Sequence, residues 1–519
     1  EEIVFNNLPY PSVNCTSAEI VFETTWGVAN VQTGNNIATM LSNFSGGTYE
    51  TNFAVMTGAY TTAWTGNKNA TITSVYPDGS TDARTSSNYT RLNVTVNAGY
   101  TIKYEYININ NSNTTFSMGS GTKTLYLGRG ISNTTAGDVC CNLIQGYDNT
   151  ITSGGLTYTL KIESGVYNNL SFIKGYEGTT TTNSVTGTVN VKGVLGCDYD
   201  RAKGTNSNFK VQSNIIMGYA TNTSSTLLNS TVAGQEVLNV TFKSGSLNSN
   251  LTSAGTADAS QSFYIGIAGS YNAGCRVFTM EGGEMWNLAA GLCNNTATTN
   301  SIRFRIKGGL IKGSIYGSAA NANSYGYKQM ILTGGTVKGW IAGGGNGTSE
   351  NGGTTTGSSY LYVGGNCRVD SEGSTTKINS SLGGQVFGSG SGVKNTTTWG
   401  EMLYGTNVVL ADNAYIERNV FGGGNFGWTD QYATLYLTGD RMSVGNVYGG
   451  ANQNKGDYVK IYMTGGNVRE GLYGGSNATG TINYNVEMHI DGGQVGTSSQ
   501  TANIHGGGYG SATRVLGSV

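Results

Sequence analysis

Residues 434–450 read TLYLTGDRMSVGNVYGG, residues 460–475 read KIYMTGGNVREGLYGG and residues 487–495 read EMHIDGGQV. In each stretch apolar and polar residues alternate, a Gly-containing corner follows, and an apolar side chain returns three residues later. Alternation with a period of two marks a strand with one face in a core. The corner serves as a landmark, held by Gly282, Gly308, Gly334, Asp412, Gly439, Gly465 and Gly492. Neighbouring landmarks lie 26, 26, 27, 26 and 27 residues apart, and the gap of 78 between Gly334 and Asp412 equals three periods of 26.

Four residues before the landmarks stand Phe278, Phe304, Met330, Val408, Leu435, Ile461 and Met488, and two before them Met280, Ile306, Leu332, Leu410, Leu437, Met463 and Ile490. All are apolar, so the first strand of every repeat sends the same two positions inward. A second strand ends in an apolar, aromatic, Gly signature: Ile315-Tyr316-Gly317, Val420-Phe421-Gly422, Val447-Tyr448-Gly449 and Leu472-Tyr473-Gly474. Two short strands, a glycine corner and a variable polar return in about 26 residues predict one coil of a parallel β-helix, with equivalent strands stacked about 4.8 Å apart. The variable return favours the right-handed form over the left-handed hexapeptide form. A propeller blade needs about 40 to 50 residues, and no tandem nine-residue calcium-binding repeat occurs.

Looser matches at 124–130 (TLYLGRG), 159–175 (TLKIESGVYNNLSFIKG), 188–196 (TVNVKGVLG) and 239–247 (NVTFKSGSL) extend the pattern upstream. The expected organisation is therefore a β-rich N-terminal cap or assembly region over residues 1–115 and an all-β, right-handed parallel β-helix over 116–519. Composition agrees. The 519 residues include 81 Gly and only 3 Pro, all three at or before Pro77, and 11% are charged. Proline cannot donate a ladder hydrogen bond, so its absence from the long remainder suits continuous sheet. A net charge of −1 supplies no electrostatic reason to expect nucleic acid, and no apolar run approaches a membrane span. The start at Glu1 in place of Met predicts a processed, exported protein.

The strings MTGGNVREGLYGGSNATG and LTGDRMSVGNVYGGANQNKG resemble the GGxVxxxxYGG repeats of large secreted surface proteins of anaerobic bacteria and adhesin-like proteins of archaea. The resemblance covers residues 270–519 well and 120–270 loosely. It implies an extracellular, cell-surface β-helix used for adhesion or as scaffold, and it transfers no catalytic residue.

Chemistry was sought in the columns. Polysaccharide lyases and hydrolases need several acids gathered on one face. Glu281 is followed one coil later by Lys307, which predicts an ion pair between rungs. Asp412, Asp440 and Asp491 stand near the corner in offset positions, where glycine-rich turns favour Asp anyway. No catalytic, cofactor-binding or metal-binding residue is assigned, and no cofactor is expected. Two aromatic columns are expected to face outward as a contact stripe: Tyr436 and Tyr462, continued by His489, and Tyr316, Phe421, Tyr448 and Tyr473, continued by His505. Rows of this kind can bind sugar rings or another rod, or simply stack from rung to rung.

The seven cysteines show no paired metal-binding spacing. Buried thiols are at least as good a reading as disulfides, including for Cys275 and Cys293. Sequons for N-glycosylation stand at Asn14, Asn43, Asn69, Asn88, Asn93, Asn110, Asn113, Asn133, Asn169, Asn222, Asn229, Asn239, Asn250, Asn294, Asn346, Asn379, Asn395 and Asn477. Taken together, the sequence predicts a secreted structural or adhesive β-solenoid at the cell surface, without enzymatic activity. Its expected partners are further copies of itself joined head to tail, as in a filament, and surface glycans. A carbohydrate-active β-helix enzyme is the alternative.

Overall fold

The structure, a computed structural model, describes residues 401–519 throughout and, before them, 275–290, 298–299, 301–318, 324–345, 354–371 and 382–391. Upstream it describes 156–171, 189–197, 209–212, 215–216, 236–248 and 262–264, together with the strand backbones at 2–5, 19–22, 70–75, 91–96, 101–104, 115–118, 122–127 and 141–145. Among the described residues every regular element is a β-strand and none is a helix. The chain forms two compact units: one of Glu1–Tyr219, Thr226–Thr231 and Val237–Asn250, the other of Ala220–Ser225, Val232–Glu236 and Leu251–Val519.

In the second unit the strand Cys275–Met280 pairs in parallel with Ser301–Ile306, and Ser301–Ile306 with Lys328–Leu332. The stack continues through Ser359–Val363, Thr406–Leu410, Thr429–Leu437 and Gly456–Tyr473 to Val486–Val495. Its register runs Phe278↔Phe304↔Met330↔Leu361↔Val408↔Leu435↔Ile461↔Met488, so the apolar positions read from the alternation lie directly over one another. From Phe278 to Ile461 this column is buried. Consistent burial is why the register holds: a slip of one residue would turn every one of these side chains to solvent.

A second inward column is Leu288, Ile315, Ile341, Val386, Val420, Val447 and Leu472, again fully buried. Between the two strands lies the glycine corner. At Gly309 φ is +89°, a conformation L side chains rarely adopt. A Cβ there would sit 2.5 Å from Met280 Cε and 2.7 Å from the Gly283 carbonyl oxygen of the rung before. At Asp412 the same corner is made with φ +52°, which a short polar side chain tolerates.

One expectation is corrected. The 78-residue gap between Gly334 and Asp412 holds a single intermediate rung and not two, because Met330 pairs with Leu361 and Leu361 with Val408, steps of 31 and 47 residues. Insertions in two returns happen to total one period, and loop length carries little register information because the strands, not the returns, fix the stack.

The first unit is stacked in the same way. Thr101–Tyr104 pairs in parallel with Thr122–Leu127, Thr122–Leu127 with Leu156–Ile162, Leu156–Ile162 with Val189–Leu195, and Val191 through Leu195 with Leu238 through Phe242. All but Thr101–Tyr104 fall on the four looser sequence matches, and the apolar positions Leu160, Ile162, Val191, Leu195, Val240 and Phe242 are buried. Nearer the N-terminus, Ala70–Val75 and Arg91–Val96 form an antiparallel pair, and Glu2–Phe5 lies parallel to Glu19–Phe22 in a separate two-stranded sheet.

Candidate functional surface

Outward positions on successive rungs also form columns, and the structure divides the expected aromatic stripe in two. Tyr436 stacks on Tyr462 with ring centroids 5.3 Å apart, and Tyr462 on His489 at 5.1 Å. These rings are half-buried or exposed. The other set differs from expectation: Tyr316, Phe421, Tyr448 and Tyr473 are only 0–4% exposed. They form a second apolar cluster with Ala289, Trp340, Ala342 and Phe387, with Leu382 packed against it. Alternation puts them on the face opposite Ile315, Val420, Val447 and Leu472, and that face is packed as well. Within the cluster Phe387, Phe421, Tyr448 and Tyr473 stack at 5.1, 5.0 and 5.0 Å. Burial pushes the Tyr448 and Tyr473 phenols above their ordinary range.

An outward row not singled out from the sequence stands beside Tyr436. Tyr432, Tyr458 and Tyr484 stack at 4.9 and 4.6 Å, with Tyr432 45% and Tyr484 49% exposed. Their spacing of 26 residues was the available signal. Thr434, Lys460 and Glu487 fill the column between the two rows. Lys460 reaches Glu487 at 3.6 Å and lies 4.7 Å above the Tyr432 ring. This arrangement limits what the rows can do. Rings stacked nearly parallel at these separations cover one another's faces, so the surface presents ring edges and hydroxyls, whereas flat stacking on a sugar needs an open face.

Other outward side chains also link rung to rung. Asn477 Nδ2 donates to Asn452 Oδ1 at 2.8 Å and Asn452 Nδ2 to Asn425 Oδ1 at 2.7 Å. A second amide ladder joins Asn446, Asn419 and Gln385. The ion pair expected between Glu281 and Lys307 is present at 3.2 Å on the surface, and Glu284 pairs with Lys312 at 2.9 Å. Arg469 reaches across two rungs, donating to Ser443 Oγ at 2.6 Å and to the Ile416 carbonyl at 2.9 Å, with its guanidinium over the Tyr415 ring.

Of the corner acids, Asp412 caps the preceding turn: its Oδ2 accepts from the Gly365 N–H and the Tyr362 hydroxyl, both at 2.8 Å. Those two bonds, the backbone one first, hold its carboxyl below the ordinary range. Asp440 and Asp491 are exposed. Among the described residues no three His, Cys, Asp or Glu side chains gather as a metal site would require, and no helix is long and apolar enough to cross a membrane.

Cys197, Cys275 and Cys367 are free and buried, and burial pushes the Cys367 thiol up to about 12. Cys15, Cys140 and Cys293 lie outside the described residues, and Cys141 opens the strand Cys141–Gln145. Of the sequons, Asn239 is half-buried on a strand, Asn477 belongs to the amide ladder, and Asn93 and Asn169 lie on described strand backbones. Asn14, Asn43, Asn69, Asn88, Asn110, Asn113, Asn133, Asn222, Asn229, Asn250, Asn294, Asn346, Asn379 and Asn395 lie outside the described residues. Comparison with known proteins finds no matching family model, no matching curated protein and no matching solved structure.

Proposed function

We propose that this chain is a secreted structural or adhesive protein of the cell surface, built as a right-handed parallel β-helix with coils of about 26 residues lengthened by insertions in the returns. The observation that carries the reading is where the outward side chains go. Tyrosine stacks, amide ladders, rung-to-rung ion pairs and the Arg469 staple all join one rung to the next. Side chains used in this way strengthen a scaffold and leave few free to converge on a substrate. Right-handedness is supported by the strong preference of parallel strand connections for that hand, and export by the resemblance to secreted GGxVxxxxYGG proteins.

Assembly by stacking of rungs is the second part of the proposal. Ile490 and Ile504 of the last stacked rung are 42% and 53% exposed, whereas their counterparts one rung earlier, Met463 and Leu472, are fully buried. A further parallel rung would cover them and satisfy the open ladder edge. The strand Glu2–Phe5 of another copy supplies such a rung by β-augmentation, a head-to-tail contact that propagates into a filament unless its rotation closes a ring. Light scattering on the chain with and without residues 1–7 tests this. Assembly of the full chain and not of the truncated one is expected, and a full chain that stays monomeric at high concentration overturns it.

A further inference from the structure

The sheet that carries the Phe278 to Met488 column has a second face, turned away from that column, and its open part has defined limits. On the strand Cys275–Met280 every residue is buried, Arg276, Val277 and Thr279 included. One rung later Ser301, Arg303 and Arg305 are half-buried. The open face therefore begins at Ser301–Ile306 and runs through six rung steps to Val486–Val495, with Thr406–Leu410 halfway. Its middle holds the half-buried side chains of Ile331, Tyr360, Tyr362, Val409, Tyr436 and Tyr462.

Its two ends carry opposite charge in the same columns. Arg303 and Glu487 belong to one register column. Lys307 and Asp491 each stand just before a corner glycine, Gly308 and Gly492. Arg303, Lys307 and Glu487 have partners within the chain in Glu236, Glu281 and Lys460 at 3.5, 3.2 and 3.6 Å. Asp491 is exposed and has no ionic partner among the described residues.

We propose that this face pairs two copies of the chain side by side, with their rungs in opposite order. A two-fold axis along Thr406–Leu410 lays each column over its own equivalent. Arg303 then faces the partner's Glu487 and Lys307 the partner's Asp491, and each pair occurs twice. Between these ends Gln329 meets the partner's Lys460, Ile331 the partner's Tyr462 and Tyr362 the partner's Tyr436, while Val409 meets its own equivalent on the axis. Arg305 falls opposite the partner's His489, whose neutral ring can accept from it. Stacked tyrosines that present edges and hydroxyls suit two aligned sheets about 10 Å apart, and tyrosine is enriched in interfaces. Six rung steps of about 4.8 Å by strands of about 20 Å give about 600 Å² per copy, at the lower end of specific interfaces. The contact is independent of the proposed end-to-end docking, which uses the edge of the last rung and not its face.

Zero-length carbodiimide cross-linking with peptide mass spectrometry tests the pairing, because it joins an ammonium and a carboxylate only where they touch. Within one chain Lys307 and Asp491 lie six rung steps, about 29 Å, apart, so a bond between them forms only between copies. The Lys307–Glu281 pair at 3.2 Å is the internal control. A Lys307–Asp491 link is expected whose yield rises with protein concentration and survives deletion of residues 1–7, which removes the end-to-end contact. In sedimentation, Asp491→Lys should raise the dimer dissociation constant about tenfold, and adding Lys307→Glu should bring it back. The control link without any Lys307–Asp491 link overturns the proposal. So does loss of that link on deleting residues 1–7, or a double variant that associates no better than Asp491→Lys alone.

Discussion

Phe421→Ala should open a hole in the buried aromatic column, and its consequences should stay local. Phe421 is fully buried with a ring on either side, Phe387 at 5.1 Å and Tyr448 at 5.0 Å. Truncating a buried Phe costs about 3–5 kcal/mol. Loss of two stacked partners, each worth about 0.5–1.5 kcal/mol beyond buried area, places this site toward the upper end. In a stack where each rung touches only its neighbours, that loss falls on the adjacent rungs. Hydrogen exchange read peptide by peptide is the assay. Amides of Val386–Phe387, Tyr415–Phe421 and Ser443–Tyr448 should exchange about a thousandfold faster, since about 1.4 kcal/mol is a factor of ten. Ser301–Ile306, several rungs away, should be unchanged. Acceleration below about tenfold at the site would refute the packing argument. Equal acceleration at Ser301–Ile306 would refute the rung-by-rung account.

Three further outcomes are expected. Gly309→Ala combines a forbidden φ with contacts to Met280 and the Gly283 carbonyl, so a loss of about 1–3 kcal/mol by denaturant unfolding is expected, and a neutral result would contradict the corner geometry. Stability should rise between about pH 7 and pH 10, because burial holds Lys328 near 7 when folded against about 10.4 when unfolded, so the unfolded chain binds more protons across that window. Lys328→Met should flatten the rise. Incubation with pectin, alginate or neutral glycans should release no unsaturated or reducing ends, and turnover that Asp412→Asn, Asp440→Asn or Asp491→Asn abolishes would establish the carbohydrate-active alternative.

Much of the fold was legible because burial imposes a period that side chains cannot hide. Phe278, Phe304 and Met330 announce their register through spacing alone, and the corner glycines mark where the chain turns. The return segments were not legible, since an insertion changes spacing without changing which strands pair, and so one rung stood where the 78-residue gap suggested two. The aromatic stripe was half legible. Its stacking follows from the period, but alternation within a strand does not say whether the face opposite the core is covered, and the structure buries Tyr316, Phe421, Tyr448 and Tyr473 in a second apolar cluster. Arg276 escaped notice because a single cation in an apolar column reads as surface until its burial is seen.

Electron microscopy of the purified chain tests the central claim most directly. A surface scaffold whose rungs dock from one copy to the next predicts particles joined end to end into strings. Separate particles at every concentration would contradict the assembly and the function drawn from it.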